Sequence, residues 1–187
     1  RNHPSLALWC GGNELDGADG RPADGSHPLL AGLEKVVSEL DPDRVWLPTS
    51  PTGPTATFTH AALDADPDGL HDVHGPWEHQ GLVGHHELYG RASSLLHSEF
   101  GAEGMANVST IEAYLAPDER WPADRSNPHV VHRGDFWINT PLVEEIFGPV
   151  DDLATLVAAS QFLQADGLRY AVEANRRRQW RQSGSIP

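Results

Sequence analysis

A single cysteine, Cys10, in 187 residues leaves no partner for a disulfide and no thiolate set for a structural zinc site. Lysine is equally scarce: Lys35 is the one lysine among 13 basic residues. Those 13 face 27 acidic side chains, for a net charge of −14. A nucleic-acid groove needs clustered cations against phosphate, so that class of partner is excluded. The one basic cluster, Arg176-Arg177-Arg178 with Arg181, reads as a solvated helix end. No apolar run approaches the roughly 18–20 residues of a membrane span, so no membrane partner is expected. A charged-then-apolar leader and an initial Met are also lacking, which reads as a piece of something longer. No address is legible, and a cytoplasmic setting is the expectation.

What is present is one domain's length of ordinary hydrophobic content. Ser5–Trp9 reads as a short buried strand, followed by a loop rich in Gly, Asp and Pro. Leu29, Leu33, Val36, Val37 and Leu40 then recur at helical spacing, with Ser26 as cap and Pro28 in the first turn. Arg44–Ser50 is a second strand, so the opening is strand, helix, strand: a crossover unit of a parallel sheet. Further strands are expected at Leu70–His74 and Ser94–Phe100. Short helices are expected at Glu87–Ser94, at Thr110–Leu115, and at Pro141–Phe147 with Thr140 as cap. A long helix covers Asp151 to about Trp180, with Leu153, Leu156, Val157, Leu163, Leu168 and Val172 as its apolar stripe. "SGSIP" looks like the entry to one more strand. This alternation favours a parallel α/β fold, either a doubly wound sheet or part of a (β/α)8 barrel.

Active sites of parallel α/β folds gather at the C-terminal ends of the strands. Two strand-like runs end in a carboxylate: Glu14 after "LALWCGGN", and Glu99 in "LLHSEFG", 85 residues later. Two facing carboxylates suit glycosidic bond cleavage, in which one donates a proton to the leaving oxygen and the other attacks the anomeric carbon. Carboxyl groups roughly 5–5.5 Å apart give retention through a covalent intermediate, and roughly 6.5–9.5 Å apart admit a water and give inversion.

Four segments in order carry a resemblance. "RNHPSLALWCGGNEL" resembles the acid/base segment of glycoside hydrolase family 2, in its β-mannosidase-like branch. "VWLPTSPTG" and "HDVHGPWEHQG" resemble that family's strand-five and strand-six segments, and "HSEFGAEG" resembles its nucleophile segment on strand seven. The resemblance covers residues 1 to about 104; residues 105–187 are read as a mostly helical C-terminal part. It implies a retaining β-glycosidase that hydrolyses terminal β-linked sugars, with β-mannoside as the leading substrate. It further implies an incomplete (β/α)8 TIM barrel over residues 1–187, from about strand four to just before strand eight. Glu14 becomes the general acid/base, Glu99 the nucleophile, and Asn13 the partner of the sugar 2-hydroxyl. The family's strand-six Tyr is missing, and His74 is expected to supply that polar contact. Trp77 and Trp9 are candidate platforms for a sugar face. The two glycines of "CGGNE" are expected to turn the backbone sharply toward the site.

His71, Asp72, His74, Glu78, His79, His85, His86 and Glu87 fall within 17 residues, a composition that suits a metal. Their spacing lacks HExxH, and Pro76 and the glycines interrupt any helix that would align ligands, so no metal and no cofactor are expected. His97 reads as a satisfied interior histidine, with orientation of Glu99 as the alternative, Glu103 as structural, and Trp46 and Trp180 as packed. The expected partner is a carbohydrate. A homo-oligomer that covers exposed barrel edges is a further expectation, as is little activity from this piece alone. The rival readings are a non-catalytic carbohydrate-binding module and a metal-binding module.

Overall fold

The computed structural model describes residues 3–132 and 138–187, so Arg1 and Asn2 of the family-like opening lie outside it. The chain divides into two compact units. One comprises the chain up to Gly75 with Arg91–Phe100 and Asn175–Pro187; the other comprises Pro76–Gly90 and Gly101–Ala174.

The first unit opens with the expected crossover. Strand β1 (Leu8–Cys10) leads through helix α1 (Pro28–Leu40) to β2 (Val45–Leu47), and the strands pair in parallel with Trp9 opposite Trp46. β1 starts later than Ser5 because the residues before it are tied up otherwise. The Leu6 amide turns back to the His3 carbonyl, and the Leu6 carbonyl accepts from Arg44 Nε at 2.5 Å. The N-cap of α1 is His27, not Ser26, and its side chain makes no capping bond. Only Leu30 of α1 is buried; of the predicted stripe, Leu29, Leu33, Val36 and Leu40 are exposed and Val37 is half-buried.

Strands β3 (Asp72–His74), β4 (Leu96–Glu99) and β5 (Gly184–Ser185) form a second parallel sheet in that order. The segment after β2 joins the two sheets: Gly53 bridges to Asp72 and Thr57 bridges to His74. Helix α2 (His60–Ala65) follows in the stretch rich in Pro, Gly and Thr after β2, started by Thr59, whose side chain accepts from the Ala62 amide. Phe58, Leu63, Leu70, Val73 and Phe100 are buried here.

The second unit is helical: α3 (Gly84–Arg91), α4 (Val108–Tyr114), α5 (Pro128–Val131), α6 (Thr140–Phe147) and α7 (Leu153–Arg177), the ends of α3 and α7 reaching into the first unit. Its core joins Ala123, Val143, Val150, Leu156 and Leu163. Truncating a buried leucine such as Leu156 to alanine typically costs about 2–5 kcal/mol. Asn139 caps α6, while the Thr140 hydroxyl donates to the Ala123 carbonyl at 2.6 Å. Gly148, at φ +89, ends that helix where a side chain would be strained. α7 buries a row of small residues, Ser160, Gly167, Ala171 and Ala174, beside Leu156 and Leu163. A methyl at Gly167 would come within 2.7 Å of the His79 ring. Trp180, expected to pack, is 96% exposed.

Candidate active site

The turn that carries Glu14 is built by close approach to β2. A Cβ at Gly11 would lie 2.5 Å from the Pro48 carbonyl oxygen and 2.9 Å from Leu30 Cδ2, so only glycine lets the strands come this near. Pairing continues past β1: the Gly11 amide donates to Leu47 O at 2.9 Å, and Ser50 N to Gly12 O at 3.0 Å. Glu14 N then donates to Ser50 O at 2.7 Å, and Leu15 N to Thr49 Oγ1 at 2.9 Å. The left-handed conformation falls on Glu14 itself, at φ +50, and on neither glycine of the "GGNE" run. A non-glycine residue in that region stores about 1–3 kcal/mol, held here by bonds on both sides of the turn.

Glu99 closes β4. A shift in the β3–β4 ladder between Val73 and His74 sets His74 opposite Glu99. Irregularities of this kind re-aim a side chain at the end of a strand. The Gly75 amide fixes the corner by donating to Glu99 O at 2.7 Å.

The three strand ends converge. His74 Nδ1 lies 2.9 Å from Glu14 Oε1 and 3.4 Å from Glu99 Oε2. One ligating atom from each of Glu14, His74 and Glu99 lies within 4.8 Å of the other two. The His74 side chain is 3% exposed, against 50% for Glu14 and 41% for Glu99. The base of the site is therefore buried and its two acids face outward. Behind His74 runs a polar chain: Nε2 is 3.1 Å from Ser50 Oγ, and Ser50 Oγ is 2.9 Å from Ser98 Oγ. Ser98 Oγ donates to Asp72 Oδ1, and Asp72 Oδ2 accepts from the Thr52 amide at 3.1 Å. Asp72 is itself buried.

Asn13 pairs with Ser50 beside Glu14 and is exposed. Trp9 donates its indole N–H to Asp41 Oδ2 at 3.0 Å, at the C-terminal end of α1. Trp77 belongs to the second unit. His97 is fully satisfied: Nε2 donates to Gly75 O at 2.7 Å, Nδ1 accepts from Asn175 at 3.3 Å, and its ring packs on Phe58 and Phe100. Burial pushes that ring down to about 4, so it stays neutral. Among the described residues, no three side chains of the histidine-rich stretch come together as a possible ligand set. His79 and His85 stack at 4.1 Å, and both His85 nitrogens are engaged, Nε2 by Gly167 O and Nδ1 by the Gln80 amide. Burial lowers both rings, His79 to about 4. Among the described residues the set that could hold an ion is Glu14, His74 and Glu99. Burial raises the Glu103 carboxyl to about 7, with Glu78 adding to the rise, and its Oε2 is buried without a hydrogen bond.

No protein-family model matches the chain. The β-mannosidase B sequences of Aspergillus flavus and Aspergillus oryzae are each 28% identical to it over 203 residues. These alignments take in 96% of this chain and 23% of each relative. The chain is similar to a segment of β-mannosidases. It spans about a quarter of the length of the curated relatives it matches. A solved β-D-mannosidase from Dictyoglomus thermophilum has the same fold at a TM-score of 0.69 and 22% identity, over 98% of this chain and 23% of that one.

Proposed function

We propose that this chain carries the catalytic pair of a retaining β-glycosidase of glycoside hydrolase family 2 acting on β-mannosides, within part of a (β/α)8 barrel. The observation that carries the reading is the approach of a Glu14 and a Glu99 oxygen to within 4.8 Å at the ends of parallel strands. That spacing is nearer the separation of retaining enzymes than that of inverting ones, which supports the retaining reading. Glu99 attacks the anomeric carbon while Glu14 protonates the leaving oxygen; Glu14 then takes a proton from the water that releases the sugar from Glu99. Asn13, next to Glu14, is the proposed partner of the sugar 2-hydroxyl. The exposed apolar face of α1 supports the barrel reading, because that face needs cover from outside this segment.

The test is a 2-deoxy-2-fluoro-β-mannosyl donor with an activated leaving group, given to the full-length protein. Fluorine at C2 slows release of the sugar more than its transfer, so the covalent form accumulates. Peptide mapping should find the sugar on Glu99 and nothing on Glu99→Gln. Turnover with an inverted product, or a label on another residue, sinks the assignment. A second reading, a divalent-cation site, draws on the same three groups, and calorimetric titration with zinc tests it.

A further inference from the structure

The polar chain behind His74 determines where protons can be. A carboxylate only accepts, and a serine hydroxyl has one proton to give. Ser98 gives its proton to buried Asp72. The 2.9 Å contact between the two hydroxyls therefore needs the Ser50 proton. Ser50 then has only lone pairs left for His74 Nε2 at 3.1 Å, so Nε2 must carry hydrogen. On the other side of the ring, Nδ1 faces Glu14 Oε1 at 2.9 Å and Glu99 Oε2 at 3.4 Å. A bare Nδ1 against two ionised oxygens would set lone pair against lone pair. One proton must lie between Nδ1 and a carboxylate, and the shorter contact is to Glu14.

We propose that His74 is a positioning residue: its tautomer, set by Asp72, Ser98 and Ser50, holds one proton on the His74–Glu14 axis and keeps it from Glu99. The inference rests on the glycosidase reading only for its use. A retaining glycosidase starts with one protonated acid and one ionised nucleophile, so the two carboxylates and the bridging ring hold one transferable proton among them. By holding hydrogen on Nε2, the polar chain leaves that proton on the side of the proposed acid. His97 does not compete, because Gly75 and Asn175 engage both its nitrogens.

The test uses the 187-residue chain labelled with nitrogen-15 in histidine, read by long-range proton–nitrogen correlation at neutral pH. The His74 signals are assigned by their loss in His74→Asn, and amide spectra check that each variant is folded. The expected pattern is a protonated, pyrrole-like Nε2 together with a protonated or proton-sharing Nδ1. Ser98→Ala and Ser50→Ala should lose the fixed Nε2 proton, and Ser98→Thr should keep it. Glu14→Gln should leave Nδ1 bare, and Glu99→Gln should not. A pyridine-like Nε2 in the parent chain overturns the proposal even if every variant fails to fold. So does a Nδ1 proton lost in Glu99→Gln but kept in Glu14→Gln, or a spectrum that a chelator changes with release of a stoichiometric metal. If the tautomer is found but the sugar label never reaches Glu99, the glycosidase reading fails and the proton assignment stands.

Discussion

Gly11→Ala tests the geometry that places the proposed acid. The added methyl would stand 2.5 Å from the Pro48 carbonyl oxygen, 2.9 Å from Leu30 Cδ2 and 3.0 Å from Trp46 Cη2. The first of these is backbone and cannot rotate away. Ordinary contact begins at 3.4 Å, so β1 and β2 must part by about 0.9 Å. The Gly11–Leu47 hydrogen bond, now 2.9 Å, would stretch beyond hydrogen-bonding range. Overpacking costs about 1–3 kcal/mol and the lost bond about 1 kcal/mol, together about 2–4 kcal/mol. For a chain of this size that is a fall in melting temperature of roughly 4–16 °C, read by circular dichroism. Gly12→Ala is the control: the atoms its methyl would meet all belong to the Leu15 side chain, which is exposed and can move, so about 1 kcal/mol or less is expected. A Gly11→Ala chain that melts within about 2 °C of the parent, or a Gly12→Ala chain that falls as far, refutes the close-approach argument.

Three further outcomes are expected. Burial holds the His97 ring near 4, below its usual 6.5, so the unfolded chain takes up a proton in that window and the folded chain does not. Its contribution to stability is complete above about pH 6.5 and is lost as pH falls toward 4. Melts from pH 7 to 4 should decline over that range, with a smaller decline in His97→Gln. Glu103 has the opposite sign: its carboxyl is raised to about 7, so its contribution is complete below pH 4.5 and is lost as pH rises through 7. Glu103→Gln should therefore gain on the parent between pH 4.5 and 7, and a constant difference between the two would contradict the burial argument. Thr59→Ala removes the hydroxyl that accepts from the Ala62 amide at the start of α2, and urea titration should show a loss of about 1 kcal/mol.

The parallel architecture was legible because its signals are local. Apolar runs ending in glycine, a helix with Pro28 at its start, and a second run at Arg44–Ser50 suffice for strand, helix, strand. Glu14 and Glu99 stood out for the same reason, each closing such a run. Three things were not legible. The positive φ fell on Glu14 because hydrogen bonds from β2 hold both sides of the turn, and no local preference for glycine announces that. The Asp72–Ser98–Ser50 chain joins three strand ends far apart in sequence, and serine is too common to mark itself. In α7 the bulky Leu168 and Val172 drew the periodicity, whereas the buried row follows Gly167 and Ala171, because His79 and His85 need the space a side chain would fill.

The backbone at Glu14 has a consequence for how such sequences drift. Glu14→Gly relieves the left-handed strain but strips buried His74 Nδ1 of its partner at 2.9 Å, whereas Glu14→Ala keeps the strain and loses the same contact. Glu14→Gly should therefore melt no lower than Glu14→Ala, and a clearly lower value would contradict this. The strain at Glu14 offsets part of what its removal costs the fold. Drift away from the acid is expected toward glycine before any other residue, because glycine meets this backbone without strain.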